Sequence, residues 1–301
     1  MNSAQAAYGS SADTLTKVAD TIGSGNDSQM RSYDLMRPSH YFSFLANNFK
    51  HQATAPFNLR PKEWTYLGAF AIVTGATMFV DQPLNDEAFS FTEKHNGFRK
   101  VSDKISSAGG VYQAITLGVL GSTGIMLKNE KLVNTTLLAS QAFVTSSVWG
   151  HLFKKISGRE RPSRYIGQGK ASPAFRGPFS DLGRDRYGEK LTSSFPSGHT
   201  IVAFSAATVY AMEYSDKPLI PVISYAAAGI MGASRIISNQ HWFSDVLVGA
   251  TLGHVYGRQV VRNYRRRTTA SDTEHEQKLS VTLGYNSGMI LPALTYRLNG
   301  R

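Results

Sequence analysis

His241 and Asp245 stand four residues apart at the end of the stretch Ser234-Arg235-(five residues)-His241-(three residues)-Asp245. Residues so spaced share one face of a helix. A carboxylate there can hydrogen-bond one imidazole nitrogen, fix the tautomer, and leave the other nitrogen's lone pair to attack an electrophile. It also stabilises the charge the ring acquires. Arg235, near the end of the preceding apolar run, adds a planar fork of N–H groups matched to phosphate oxygens. These residue types suit attack by a histidine on a phosphoryl group.

Two other clusters complement them. Lys154 and Arg161-Pro162 lie where an apolar segment gives way to a basic, glycine-containing turn, and Pro162 stops the helix from continuing. Lys154 as a flexible point charge and Arg161 as a fork can grip a dianion. Pro196-Ser197-Gly198-His199 precedes the apolar run from Thr200 to Met212, which reads as a helix start with Ser197 as its cap. The unpaired N–H groups of such a terminus favour a bound anion, which His199 in the first turn faces.

Each cluster alone has a plainer reading: cations complementing a helix dipole, a capped helix with an incidental histidine, and a solvated early-turn acid. Together they supply a nucleophile, an orienting acid, a second acid–base group and a cationic cradle.

Six nearly uncharged segments must position these groups: 64–80, 111–127, 132–153, 198–213, 218–234 and 244–257. Their Ala, Leu, Val and Ile content and weak alternation predict helices. Most fall short of the about 20 apolar residues of a membrane span, and the mean hydropathy of the chain is −0.22. Their many Gly, Ala, Ser and Thr residues are, however, what packed transmembrane helices use at their contacts. If all six cross, the 128–131 and 213–217 turns share one side with Arg258, Arg262, Arg265, Arg266 and Arg267, as a cytoplasmic face requires. Asp81, Asp86, Glu87 and Glu93 then share the other side with the motif loops.

The expected fold is all-α: a six-helix bundle embedded in a membrane of the bacterial inner-membrane type, with its site facing outward. The alternative is a soluble, exported periplasmic bundle. Residues 1–60 are expected as a polar N-terminal arm, 61–268 as the helical domain and 269–301 as a C-terminal tail. In that tail an alternating run from Leu279 to Tyr285, an Asn286-Ser287-Gly288 turn and a β-prone run to Leu298 predict a hairpin. Met1 to Gly25 lacks the basic and apolar regions of a usual signal peptide. Either a later apolar segment drives export or a leader has been removed.

The ordered patterns KX6RP, PSGH and SRX5HX3D are complete here, at Lys154, Arg161, Pro162, Pro196, Ser197, Gly198, His199, Ser234, Arg235, His241 and Asp245. The combination resembles the signature of the type 2 phosphatidic acid phosphatase superfamily, over about residues 64–260. That group includes lipid phosphate phosphatases, undecaprenyl-diphosphate phosphatases, class A acid phosphatases and vanadium haloperoxidases. The resemblance implies a metal-independent phosphatase without a cofactor. In it His241 attacks phosphorus to form a phosphohistidine, His199 protonates the leaving oxygen and Asp245 orients His241. Lys154, Arg161, Arg235, Ser197 and the Gly198 amide hold the phosphoryl oxygens.

Composition narrows the field further. The chain of 301 residues has no cysteine, which excludes disulfides, thiolate zinc sites and a cysteine nucleophile. No dense acidic cluster suits a two-metal centre. A net charge of +11 points to anionic partners, but the basic residues form no aromatic-interleaved patch, so nucleic acid is not expected. The expected partners are a membrane and a phosphorylated lipid, such as phosphatidic acid or a polyprenyl diphosphate, or a small phosphomonoester. Vanadate-dependent halide oxidation and a non-catalytic basic protein are the remaining readings. His40, His51, His95 and His275 read as solvated, and His151 and His254 as interior, with His151 able to approach Lys154. The 163–195 loop, with Arg164, Arg176, Arg184, Arg186 and Lys190, is the expected source of substrate selectivity.

Overall fold

The structure, a computed structural model, describes residues 36, 38–107, 109–165, 173–185, 188–286 and 289–296, without the side chains of 38–39, 106–110 and 269 onward. Eight α-helices follow one another: α1 Pro38–Thr54, α2 Pro61–Lys94, α3 Asn96–Ser107, α4 Gly109–Met126, α5 Glu130–Ser157, α6 Gly198–Glu213, α7 Leu219–Ile237 and α8 Phe243–Lys278. Strands β1 Leu279–Asn286 and β2 Met289–Tyr296 then pair antiparallel, Leu279 opposite Tyr296. The Ser287-Gly288 turn and most of the N-terminal arm, Met1 to Leu35, lie outside the described residues.

Each of the six apolar segments falls on a helix, but the described bundle has eight rather than six. The two additions, α1 and α3, are polar helices that a search for apolar runs passes over. Ser102 of α3 donates its hydroxyl to Ser234 O (2.9 Å), fixing α3 on the end of α7. In α1, which lies inside the expected arm, Asn48 and Gln52 are buried. Asn48 Nδ2 donates to Gln141 Oε1 (2.8 Å) and Asn263 Nδ2 donates to Asn48 Oδ1 (2.9 Å). Gln52 Nε2 donates to Thr145 Oγ1 (3.2 Å) while accepting from Trp149 Nε1 (2.8 Å). Amides thus hold α1 against α5 and α8.

Helix α6 is central, packed against α5, α7 and α8. Its contact with α8 is backbone to backbone. A Cβ added at Gly253 would lie 2.4 Å from Ile201 O, and one at Gly257 2.4 Å from Ser205 O. Only glycine permits that approach. Leu138, Ala139, Ala142, Val209, Val260 and Val261 form the small apolar core between these helices. Much of the remaining interior is polar: Gln141, Thr145, Ser146, Ser205 and Thr208 are all buried. The outer faces are apolar instead. Ile72 and Phe79 of α2 are 74% and 86% exposed, and Val222 and Ile223 of α7 and Ile115 of α4 are exposed too. By length and composition, α2 and α7 are each long and apolar enough to cross a membrane.

The two ends of the bundle differ. At one, Lys131 meets Asp216 (3.5 Å) and Arg265 meets Glu213 (3.0 Å), joining the α4–α5 and α6–α7 turns and the basic stretch of α8. At the other, the three motifs converge.

Candidate active site

Helix α5 ends at Gly158, whose left-handed backbone (φ 54°) and N–H bond to Lys154 O (3.1 Å) close the last turn. A Cβ there would meet Gly177 O at 2.1 Å, so the turn has room for glycine alone. Lys154 lies in that last turn. A Cβ on Gly198 would come 3.3 Å from Lys154 Cε, so the end of α5 abuts the start of α6. Ser197 occupies the cap position of α6, as its sequence predicts, yet its hydroxyl makes no capping bond. It meets Thr200 Oγ1 (2.8 Å), and its N–H donates to Asp245 O (3.0 Å), tying α6 to α8.

Arg235 is buried in the last turn of α7. Its carbonyl accepts from the N–H groups of Gln240 (3.0 Å) and His241 (3.2 Å), so the chain folds back and delivers His241 beside it. Helix α8 begins only at Phe243. His241 therefore precedes the helix, and the expectation that it shares a helical face with Asp245 is corrected. The pair meets across the helix start, where Asp245 also accepts the Trp242 N–H (2.9 Å). Side-chain capping of this kind competes with extending the helix.

His241 Nδ1 lies 3.5 Å from Asp245 Oδ2, longer than a well-made hydrogen bond. Both His241 and Asp245 are fully buried, and neither ring nitrogen of His241 has a hydrogen-bond partner. Burial first, then the nearby charges of Arg161, Lys154 and Arg235, hold the His241 imidazole well below the ordinary histidine range, so the ring is neutral. The charges bearing on half-buried His199 are Arg235, Lys154 and Arg161, with His151 next. The structure thus brings all three motifs to one place.

Arg161 is deployed differently from expectation. Its guanidinium donates to Gln240 Oε1 (2.7 Å), Glu189 Oε2 (3.0 Å), Ser193 Oγ (3.1 Å) and Lys190 O (3.1 Å). Loop acceptors hold the fork that the sequence assigns to phosphate. Arg164 and Arg176 pair with Glu160, and Lys190 with Asp181, so acids offset much of the loop's positive charge; Arg186 lies outside the described residues. A cavity of about 800 Å³ opens beside Lys154, lined by His151, Phe179, Arg184, Glu189 and Ser193. His151 and His254 are exposed rather than interior, and the His254 ring sits 3.0 Å from Tyr225 Oη.

Sequence reading missed the groups around Asp245. Asp245 accepts from Arg159 Nη1 (2.6 Å) and from Ser194 Oγ, and Arg159 Nη2 donates to Asp81 Oδ2 (2.7 Å). Asp81, expected as part of an acidic surface stretch, is fully buried. The available signal was that Asp81 is the first carboxylate after the long apolar run of α2, where a buried acid rarely survives without a partner. Among the described residues no three histidine or acidic side chains converge as a metal-binding set.

The PAP2 superfamily profile matches residues 132–269. A stretch of 77 residues is 45% identical to a lipid A 1-phosphatase of Porphyromonas gingivalis, covering 25% of this chain and 17% of that protein. A lipid A 1-phosphatase of Rhizobium johnstonii is 29% identical over 228 residues, covering 71% of this chain and 84% of that one. The crystal structure of Aquifex aeolicus LpxE aligns at 23% identity with a TM-score of 0.40, covering 57% of this chain and 92% of that one. Lys154, Arg161, His199, Arg235, His241 and Asp245 all lie inside the region that matches the PAP2 superfamily profile.

Proposed function

We propose that this chain is a lipid phosphate phosphatase that works through a covalent phosphohistidine at His241. The carrying observation is a buried, neutral imidazole without a hydrogen-bond partner, flanked by Asp245 and by the charges of Arg161, Lys154 and Arg235. Nδ1 faces Asp245, so Nε2 attacks phosphorus. The P–O bond to the leaving group breaks, and the leaving oxygen takes its electron pair and a proton from His199. A water then attacks the phosphohistidine, giving its proton to His199. The P–N bond breaks, and its electrons return to His241. Lys154, Arg161, Arg235, Ser197 and the Gly198 N–H hold the phosphoryl oxygens, and their charge stabilises both transition states. For Arg161 this means exchanging Glu189 and Ser193 for the substrate.

The bundle is read as membrane-embedded, with the site at the outer surface. Support comes from the exposed apolar faces of α2, α4 and α7 over a polar interior, and from the basic stretch of α8 at the end opposite the site. The paired β1 and β2 are read as a C-terminal hairpin outside the catalytic bundle. The relatives' names favour a phosphorylated lipid, with the 1-phosphate of lipid A the first to try and a polyprenyl diphosphate the second.

The test uses purified, detergent-solubilised protein with EDTA present. Release of orthophosphate from lipid A or phosphatidic acid, by a protein that resists carbonate extraction from membranes, is the expected result. Release only from a soluble ester such as para-nitrophenyl phosphate, by an extractable protein, gives instead a soluble acid phosphatase. No release from any of them contradicts the proposal.

A further inference from the structure

The groups assigned to catalysis and phosphate binding all lie in the matched region, whereas a buried charge beside them comes from outside it. Asp81 lies in α2, ahead of residue 132, and reaches the N-terminus of α8. Its Oδ1 accepts the Ser244 N–H (2.8 Å), and its Oδ2 accepts from Ser244 Oγ (2.6 Å) and Arg159 Nη2 (2.7 Å). Arg159 spends its other terminal nitrogen on Asp245 Oδ1 (2.6 Å) and Ser244 Oγ (2.7 Å). Asp81, Arg159, Ser244 and Asp245 are all fully buried. The guanidinium is also enclosed by the rings of Phe175 (4.9 Å), Trp242 (5.8 Å) and Phe195 (5.9 Å). Water does not screen these charges, so their count matters.

Arg159 is one cation shared by two carboxylates. With Asp81 present the trio carries one net negative charge, which remains for His241. Without Asp81, Arg159 and Asp245 cancel, and the cationic ring formed by Nε2 attack loses its counter-charge. We propose that Asp81 is a positioning residue of the phosphatase: it keeps Arg159 occupied so that Asp245 stays available to His241. This rests on the histidine mechanism proposed above. A purely structural role is the competing account, since Asp81 also satisfies a free N–H at the start of α8.

The two accounts differ in the double variant. Asp81→Asn should lower kcat by about tenfold or more while KM changes less than about threefold, because the interaction lost is one that strengthens in the transition state. Asp81→Asn with Arg159→Gln removes both charges and returns the negative charge to Asp245, so kcat should recover at least about threefold over Asp81→Asn alone. A structural role predicts a double variant no better than the single one, and that result overturns the proposal. Ser244→Ala, which loosens Asp81 without changing charge, should lower kcat by about threefold at constant KM. If Asp81→Asn does not fold, wild-type kcat in Ser244→Ala overturns the proposal instead. Wild-type protein that releases no phosphate would point to failure of the parent mechanism, whereas an active wild type with an unaffected Asp81→Asn variant refutes this inference alone.

Discussion

Around Asn48 the buried interior is polar but neutral, whereas around His241 it is charged. In the first region Asn48, Gln52 and Gln141 each donate and accept, using Thr145, Trp149, Asn263 and Tyr41 O as partners. In the second, Lys154, Arg161, Arg235 and His199 surround an imidazole that has no hydrogen bond at all. Burying an unpaired polar group opposes folding by about 1–3 kcal/mol, and clustered like charges add to that. A satisfied network explains itself as structure. In the charged region the His241 ring is the group left unsatisfied, and in the mechanism proposed above it is a phosphoryl group that the ring meets.

The contrast predicts that the two regions respond oppositely to substitution. His241→Ala should lower kcat by about 10³-fold or more and leave the melting temperature unchanged or higher; a tenth of wild-type activity remaining would break the comparison. Asp245→Asn should lower kcat by about 10²-fold and also destabilise, because Arg159 then shares a single carboxylate. Gln141→Leu should do the reverse, losing about 1–3 kcal/mol of stability in a denaturant titration because Asn48 and Tyr41 O lose a partner. Its kcat should stay within about twofold. A catalytic defect there as large as that of Asp245→Asn would show that the two regions are not separate.

The smallest effect is a pH shift. An ordinary histidine protonates near about 6.5 and loses its lone pair below that. His241 is held lower by burial and by Arg161, Lys154 and Arg235. Its reactive neutral form therefore persists as pH falls through 6.5, so the acid limb of kcat/KM should lie below that value. Arg161→Gln removes one of those charges and should move the limb upward; movement downward would contradict the assignment.

Much of the site was legible because its chemistry is local. The turn at Gly158, the helix start at Ser197 and the spacing from Arg235 to Asp245 are written in short stretches, and they named His241, His199 and the cationic cradle. What escaped was set by contacts distant in sequence. Asp81 is paired with residues of α5's exit loop and of α8, and nothing near it in the chain says so. Arg161 was read as a bare fork, whereas loop residues Glu189 and Ser193 occupy it. The fold followed the same rule. Helices that face outward with apolar side chains were visible as runs. Helix α1, held by buried amides, looked like a polar arm, and the Gly253 and Gly257 contacts with α6 need the partner backbone to be recognised.

The most direct test of the account is to trap the intermediate. Protein mixed with a radiolabelled phosphate ester and quenched in alkaline denaturant should carry acid-labile, alkali-stable label on the peptide containing His241, and the His241→Ala variant should carry none. Turnover without any label at that histidine, or label retained in the variant, would contradict a covalent phosphohistidine at His241.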